Sequence, residues 1–162
     1  MGERGVAARE LRATIEVGAS PPDTWQTVAD VRRTGEWSPE CVHVIPIGRV
    51  RSGGWMLGVN RRGRVRWATL SRVVRFEPEA EIAWRVATNR SVWAYQLDPV
   101  GSGTRLTETR QAPDGIGRGA SAFTRLLLGG QRHHDDELEA GMRQGLERIR
   151  AILHDVPVRN VT

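Results

Sequence analysis

Residues 81–98 read EIAWRVATNRSVWAYQLD, and this stretch decides the fold. On both sides of residues 88–90, large apolar side chains alternate with smaller or polar ones. Period-two alternation interrupted by a few residues predicts two antiparallel strands, here 81–87 and 91–98. On each strand the large apolar side chains lie on a single face: Ile82, Trp84 and Val86 on the first strand, and Trp93, Tyr95 and Leu97 on the second.

The same pattern extends in both directions along the chain. Six strand-like runs follow one another from His43 to Gln111 without a helix between them, at 43–50, 55–60, 65–76, 81–87, 91–98 and 104–111. Four consecutive runs each carry one tryptophan: Trp55, Trp67, Trp84 and Trp93. A meander with large aromatics on one face is typical of a curved sheet wrapped around a helix, and such a sheet tends to enclose a space.

The flanks supply the remaining elements. A first strand is predicted over 11–17, and Ser20 is a suitable N-cap for a short helix that runs to about Val31. A second short segment surrounds Glu36 and Trp37. A long amphipathic helix over 131–154 carries one apolar stripe: Leu138, Met142, Leu146, Ile149, Ile152 and Leu153. The prediction is an α+β domain over 11–156, with a flexible N-terminal arm (1–10) and a C-terminal tail (157–162).

Composition argues against several classes of protein. The net charge of +5 invites a nucleic-acid interpretation, yet all 24 basic residues are arginine and they are interleaved with 19 acids. No nucleic-acid-binding module can be placed on the chain, so nucleic acid is an unexpected partner. There is no apolar run long enough to span a membrane and no signal segment, and Cys41 is the lone cysteine. These features favour a cytoplasmic protein.

Two motifs suggest a cofactor and fail on inspection. His133 and Glu137 share a helical face, but no third ligand stands at a recognisable spacing, so no metal site is predicted. Residues 115–120 match the G-x-G-x-x-A string of a dinucleotide loop, but the surrounding chain is a hairpin meander and not a βαβ unit. A flexible loop over the enclosed space explains these glycines better. No cofactor is therefore expected.

The order of elements resembles the helix-grip fold of the START-like (SRPBCC) superfamily, in its bacterial polyketide cyclase/dehydrase and lipid-transport branch. The residues that carry the resemblance extend over nearly the whole chain: Ser20 to Trp25, Glu36 to Pro39, Gly58 to Arg61, Trp67, Ser71 to Val73, Ala83 to Val86, Trp93 to Tyr95, Gly103 to Glu108, Gly141, Met142 and Leu146. The resemblance implies a seven-stranded antiparallel sheet around the C-terminal helix. It does not decide the function, because one fold serves carriers, enzymes and sensors.

A ligand cavity between sheet and helix is the main functional expectation. Its predicted lining is Met56, Asn60, Trp67, Thr69, Ser71, Trp84, Trp93, Tyr95, Leu106, Glu108, Arg110, Leu138 and Met142. Apolar walls with a few convergent polar groups suit a hydrophobic, partly oxygenated molecule. Strand 55–60 leaves two registers open: alternation alone turns Trp55, Leu57 and Val59 inward, whereas the resemblance turns Met56, Gly58 and Asn60 inward. We favour the second.

Three functions fit this expectation to different degrees. The first is binding of a lipid or polyketide-like molecule. The second is a polyketide aromatase/cyclase or dehydratase, with Glu108 as general base and Tyr95, Asn60 or Arg110 as donors to an enolate. In the purely structural alternative, Glu108 has no catalytic role and only forms an ion pair with a neighbouring arginine. The third is an interaction module, such as a toxin–antitoxin component, which predicts a filled core and an exposed apolar patch.

The segment 60–66 is the densest run of like charge in the chain. It carries four arginines within a predicted hairpin: Arg61, Arg62, Arg64 and Arg66. They either keep an edge turn soluble or form a docking patch for an acidic protein, such as an acyl carrier protein.

Overall fold

The fold is built on a seven-stranded antiparallel sheet, which a computed structural model describes over residues 10–112 and 131–155. The strands are β1 Leu11–Val17, β2 Cys41–Ile47, β3 Trp55–Arg62, β4 Val65–Glu77, β5 Glu81–Val86, β6 Val92–Val100 and β7 Gly103–Gln111. Helix α1 (Pro21–Val28) and a 3₁₀ helix (Val31–Glu36) connect β1 to β2, and the described chain ends with helix α2 (Gln131–His154). The strand order is β1-β7-β6-β5-β4-β3-β2. The predicted α+β helix-grip architecture is confirmed.

Helix α1 begins where the sequence indicates. Ser20 has an extended backbone, and its Oγ accepts a hydrogen bond from the backbone N–H of Asp23. Prolines at the first two helical positions suit this start, because their missing N–H groups have no partner inside the helix. Thr104 Oγ1 donates to the carbonyl of Ala19 at 2.9 Å, which joins the start of α1 to strand β7.

Close backbone approaches hold the 3₁₀ helix against its neighbours. A Cβ on Gly35 would lie 2.2 Å from the carbonyl oxygen of Val42, so only glycine lets this helix pack on β2. A Cβ on Gly145 of α2 would lie 3.4 Å from the carbonyl oxygen of Trp37. Trp37 follows the 3₁₀ helix and is 1% exposed, so these contacts place a large indole inside the core.

Strand β3 has the register that the resemblance implies. Met56 and Gly58 are buried, whereas Trp55 is 40% exposed. The simple alternation that would turn Trp55 inward is wrong, and so is the expectation that all four strand tryptophans share one face. Trp55 tolerates the solvent side because its ring packs against the guanidinium of Arg72, 5.5 Å from the ring centroid.

Strand β2 lies two to three residues earlier than predicted. It starts at Cys41, which pairs with Asn60 before an irregularity in the register between Cys41 and His43. It stops before Gly48, whose positive φ of 81° turns the chain away from the sheet. A bulge of this kind adds a residue without changing the hydrophobic pattern, so alternation alone does not reveal it.

The hydrophobic core lies between the sheet and the helices. The apolar stripe of α2 is confirmed at Met142, Leu146, Ile149 and Leu153, which are buried in one cluster with side chains of the sheet. The sheet contributes Leu11, Ala13, Val17, Met56, Val73, Ile82, Tyr95, Leu97 and Leu106 to that cluster. Burying such side chains stabilises the fold by roughly 1.5–3 kcal/mol each.

Helix α2 closes the described structure on the side of β1. It packs mainly against β1, with further contacts to α1 and β7. In the ranges 10–112 and 131–155, no helix is long and apolar enough to cross a membrane. The predicted arm and tail lie almost wholly outside the described residues, as does the glycine-rich segment 115–120, so those expectations remain predictions.

Candidate functional site

The pairing register brings the predicted strand residues onto one face. Residues directly opposite each other in antiparallel strands share a face of the sheet. Successive pairs link Met56 to Ser71, Gly58 to Thr69, Asn60 to Trp67, Trp84 to Trp93, Trp93 to Arg110, Tyr95 to Glu108 and Leu97 to Leu106. We call this the inner face, because its apolar members pack in one cluster with Met142 and Leu138 of α2.

Three polar side chains meet at the centre of the inner face. Trp37 Nε1 donates to Tyr95 Oη at 3.2 Å, and Tyr95 lies opposite Glu108, where hydrogen bonding by its hydroxyl lowers the pKa of the Glu108 carboxyl. All three side chains are buried. Because the indole N–H is only a donor, the tyrosine oxygen accepts from Trp37 and its own proton is free to point at Glu108. The tyrosine therefore presents a donor to the acid.

Burial controls the protonation of this pair. Desolvation raises the pKa of Glu108 to about 8, and the hydrogen bond from Tyr95 opposes part of that rise. Burial, followed by the neighbouring carboxyl, raises the pKa of Tyr95 well above its usual range. The tyrosine therefore stays protonated near neutrality, whereas Glu108 takes up or releases a proton close to pH 8.

Arg110 does not neutralise Glu108. Its Nη1 atom lies 3.8 Å from Asp135 Oδ1 of α2, and its guanidinium packs over Trp93, 5.9 Å from the ring centroid. No arginine of the described residues is among the groups that shift the pKa of Glu108. The purely structural expectation that Glu108 forms an ion pair with a neighbouring arginine is therefore wrong. The neighbouring inner-face arginine, Arg110, instead pairs with Asp135 of α2.

A second polar group lies at the other end of the inner face. Asn60 Nδ2 donates to Thr69 Oγ1 at 3.2 Å, across the β3–β4 pair. Gly58 leaves room for this hydroxyl, since a Cβ there would lie 2.8 Å from Thr69 Oγ1. Ser71 is buried two positions further along the same strand. A line of small polar groups thus runs beside the aromatic side chains.

The inner-face tryptophans are not equally buried. Trp84 and Trp93 pair across the middle of the sheet, yet both stay partly accessible, while Tyr95 beside them is buried. Trp67 lies on the inner face near the β3–β4 hairpin and is 37% exposed, so the core does not cover it, and its place in a ligand site stays a prediction. It stands too near the hairpin end, with Val65 beyond it also exposed, for the core to cover it. Trp84 and Trp93 are thus less buried than Tyr95, although all three lie on the same face of the sheet.

Arg62 is half-buried, and its side chain is held by helix α2. It lies on the inner face two residues after Asn60, and its Nη2 atom forms an ion pair with Glu137 of α2. Its Nη1 atom is buried without a hydrogen-bond partner. The prediction that Arg62 takes part in a docking patch with the other hairpin arginines is therefore wrong, since its side chain turns towards the helix.

The positions of three buried or half-buried residues near the site were not predicted from the sequence. Trp37 was assigned to a turn, Glu40 was not considered, and Cys41 was treated only as an unpaired thiol. Burial raises the pKa of Glu40, and it raises the pKa of the Cys41 thiol to about 11, which makes that thiol a poor nucleophile. Cys41 pairs with Asn60 just before the register irregularity of β2. Because the sequence does not reveal that irregularity, it did not place Cys41 on the strand.

The described residues hold no cluster suited to a metal ion. No group of three or more histidine, cysteine or carboxylate side chains converges within that part of the chain, which excludes the side chain of His133. A solvent-open depression of about 430 Å³ lies beside β2, lined by Arg32, His43, Val44, Ile45 and Pro46. It runs along the edge of the sheet and is separate from the inner-face aromatics.

Several proteins of known structure share this architecture. The chain is similar to a polyketide-cyclase-like protein of Corynebacterium glutamicum solved by NMR, with 25% identity, a TM-score of 0.61, and coverage of 90% of this chain and 91% of that one. A crystal structure of protein NE0264 from Nitrosomonas europaea is 14% identical, with a TM-score of 0.67 over 90% and 94% of the two chains. No curated protein matches the chain.

A further neighbour comes from antibiotic biosynthesis. StfQ, described as a di-domain ARO/CYC from the steffimycin biosynthetic pathway, is 15% identical with a TM-score of 0.70. The match covers 90% of this chain and 50% of StfQ, so this chain spans about half of that protein. Residues 8–153 match the family model described as polyketide cyclase / dehydrase and lipid transport, which is most of the chain. The chain is a member of the polyketide cyclase / dehydrase and lipid transport family.

Proposed function

We propose that this protein binds a hydrophobic, partly oxygenated small molecule against the inner face of the sheet. The observation that carries the proposal is the accessible pair Trp84 and Trp93 beside the buried Tyr95 and Glu108. Aromatic walls beside a few convergent polar groups fit a ligand of this class. A protonated Glu108 donates a hydrogen bond to a ligand carbonyl, while the tryptophan rings contact the apolar body.

Binding is tested by titrating the protein with an apolar fluorescent probe and a fatty acid. We expect micromolar affinity and quenching of tryptophan emission, because Trp84 and Trp93 line the proposed site. Trp84→Phe and Trp93→Phe should together remove most of the quenching, whereas Trp55→Phe on the opposite face should not. An inner-face site is contradicted if quenching persists in the Trp84→Phe/Trp93→Phe variant and disappears in Trp55→Phe.

A second candidate function is cyclisation or dehydration of a polyketide-like chain. The observation that favours it is the buried carboxyl of Glu108, whose pKa of about 8 suits proton transfer near neutral pH. In this scheme the Glu108 carboxylate removes the proton next to a substrate carbonyl. The resulting enolate carbon attacks a second carbonyl of the same chain, and the new alkoxide takes up a proton. Water is then lost as the carbon–carbon double bond forms.

Turnover with a model polyketide separates the two candidates. For an enzyme, Glu108→Gln should lower kcat by roughly 10²–10⁴-fold and change ligand affinity only a few-fold. A base with a pKa of about 8 also predicts a rate that rises with pH through that value. A carrier shows no turnover, and its ligand affinity is the only quantity that changes with this variant.

An acidic protein partner, such as an acyl carrier protein, remains part of the proposal. Arg61, Arg64 and Arg66 are exposed on the β3–β4 hairpin, beside the accessible Trp67 at the open end of the inner face. Clustered arginines accelerate association with an acidic partner and bind phosphate groups in two-point contacts. Reversing Arg64 to Glu should slow association at low salt and leave the binding of free ligand unchanged.

A further inference from the structure

The outer face of β2–β4 carries an unusual concentration of exposed apolar side chains. In the ranges 10–112 and 131–155, every strongly exposed large apolar residue lies on these three strands: Val42, Ile45, Ile47, Trp55, Val65, Trp67 and Leu70. Ile45, Ile47, Trp55 and Leu70 lie on the face opposite Met56. Single exposed apolar residues are ordinary, but a contiguous group with a polar rim marks an interaction site.

Strand pairing makes this group contiguous. Ile47 lies opposite Trp55, Ile45 and Leu57 are paired, and Leu57 is in turn paired with Leu70. Side chains opposite each other are roughly 4.5–5.5 Å apart at Cβ, so the rows touch. We call the outer-face set Ile45, Ile47, Trp55, Leu57, Val59 and Leu70 the apolar field.

An arginine pair borders each end of the apolar field. Arg72 lies opposite Arg85 across the β4–β5 pair, and Arg61 lies opposite Arg66 across the β3–β4 pair. Like charges directly opposite each other destabilise a sheet, so each pair carries a cost in the isolated protein. None of these four arginines forms an ion pair with a described residue.

The other half of the outer face is internally satisfied. Across β1 and β7, Thr14 and Thr107 hydroxyls lie 3.2 Å apart, and Arg105 forms an ion pair with Glu16. Arg12 is similarly paired with Glu10. The unmatched positive charge on the described outer face is therefore concentrated where the apolar side chains are exposed.

These features select the occupant of the field. A second copy would bring arginine pairs against arginine pairs, which repel. Addition of an extended strand at the free edge of β2 is opposed by Pro46, which lacks a backbone N–H. A negatively charged partner with an apolar surface relieves both the Arg–Arg repulsion and the exposure of the field.

The length of the field defines the partner's shape. Arg66 and Arg72 are six residues apart on β4, which corresponds to about 20 Å along a strand. A helix covers that distance in about 13 residues, at a rise of 1.5 Å per residue. We propose that the outer face of β2–β4 binds an amphipathic helix of an acidic partner protein, with carboxylates near both ends of a central apolar stripe. This deepens and rests on the acidic partner proposed above.

The test uses a synthetic peptide of this design and its charge-inverted counterpart. A helical peptide with leucines on one face and glutamates at both ends is labelled and titrated with the intact protein by fluorescence anisotropy. We expect binding that weakens with salt and shifts the emission of Trp55. Leu70→Ser, Ile45→Ser and the double change Arg66→Gln/Arg72→Gln should each weaken binding about tenfold or more, a change of about 1.4 kcal/mol.

Two matched control variants remove an apolar side chain or an arginine outside the apolar field. Val65→Ser removes an equally exposed apolar side chain from the opposite face, and Arg12→Gln removes an arginine that is already paired. Both should keep affinity within about twofold, which is under 0.5 kcal/mol. Circular dichroism of each variant checks whether the sheet is intact, and the two single serine variants test the apolar field independently of each other.

Five results would overturn the inference. The first four are absence of peptide binding at millimolar concentration, equal binding of the lysine-containing peptide, equal loss of affinity in the control variants, and a preference for phosphatidylglycerol vesicles over the peptide. Concentration-dependent dimerisation abolished by Leu70→Ser would also overturn it in favour of a second copy. Inner-face binding of the apolar probe is measured on the same variants and should not change, so failure of the helix site is distinguishable from failure of the ligand site.

Discussion

At the scale of single residues, the protonation of Glu108 follows from where β7 places it. The carboxyl lies between Tyr95 and the apolar core, and α2 holds the nearest inner-face arginine away from it. An acid in such a place costs folding energy once it ionises. Because the folded pKa is raised, the neutral acid keeps the fold stable at low pH. That contribution is lost as the pH rises towards about 8.

The first prediction follows from this linkage. Between pH 5 and 8 the unfolded chain ionises Glu108 while the folded protein keeps it neutral, which costs about 4 kcal/mol of stability across that range. Glu108→Gln cannot ionise, so its free energy of unfolding should fall less over the same range. Urea unfolding at pH 5.5 and 8.5 measures the difference. Glu16→Gln on the exposed outer face should behave like the wild type, and an identical pH slope in Glu108→Gln would contradict the account.

The second prediction concerns the partner of Glu108. The hydrogen bond from Tyr95 lowers the pKa of Glu108, so Tyr95→Phe should raise that pKa further above its value of about 8. The variant should also lose about 1 kcal/mol of stability with the hydrogen bonds. The infrared band of the protonated carboxyl, followed against pH, reports the change. Thr69→Val, which removes the partner of Asn60 instead, should leave the titration unmoved; a matching shift there would exclude the proposed contact.

At the scale of elements, the sequence predicted most of the sheet and one face of α2. Strong alternation in β5 and β6 and the stripe Met142, Leu146, Ile149 and Leu153 define elements with one buried side, which is the information that periodicity carries. Strand β3 was ambiguous because both of its faces carry apolar residues. Only the family resemblance distinguished the two faces. Alternation failed because Trp55, although large and apolar, lies on the solvent side and packs against the guanidinium of Arg72.

Long-range pairing accounts for the parts of the site that the sequence did not reveal. The Trp37–Tyr95 hydrogen bond joins residues 58 positions apart, and it depends on a 3₁₀ helix that fits under β2 only at Gly35. The side-chain direction of Arg62 depends on a contact with α2 and not on the hairpin that contains it. Local patterns carry no information about such contacts, so the composition of the inner face was more predictable than its bonding.

The third prediction tests the space between α2 and the sheet. Leu106→Trp and Met142→Trp place a larger ring among buried inner-face side chains, so they should block binding of an apolar probe. Overpacking costs about 1–3 kcal/mol of stability. Ala151→Trp adds the same ring to an exposed position of α2 and should leave probe affinity unchanged. Tight probe binding in both core variants would contradict a ligand site between helix and sheet.

At the scale of the whole molecule, the two faces of the sheet differ in composition and burial. The inner face collects aromatic rings, a buried acid and small hydroxyls under α2, while the outer face of β2–β4 presents apolar side chains between arginine pairs. An interaction module was expected to have a filled core and an exposed patch. The exposed patch is present, together with partly accessible tryptophans on the inner face, and the two proposals therefore concern opposite faces of one sheet.

Native mass spectrometry tests the central claim most directly. The protein is purified gently from its expression host, without detergent, and its mass is compared with the mass after organic extraction. The account predicts a bound small molecule, extractable and non-covalent, which is retained by Ala151→Trp and lost from Met142→Trp. A wild-type protein that carries no ligand and acquires none from added fatty acids or aromatic polyketides would contradict a binding site on the inner face.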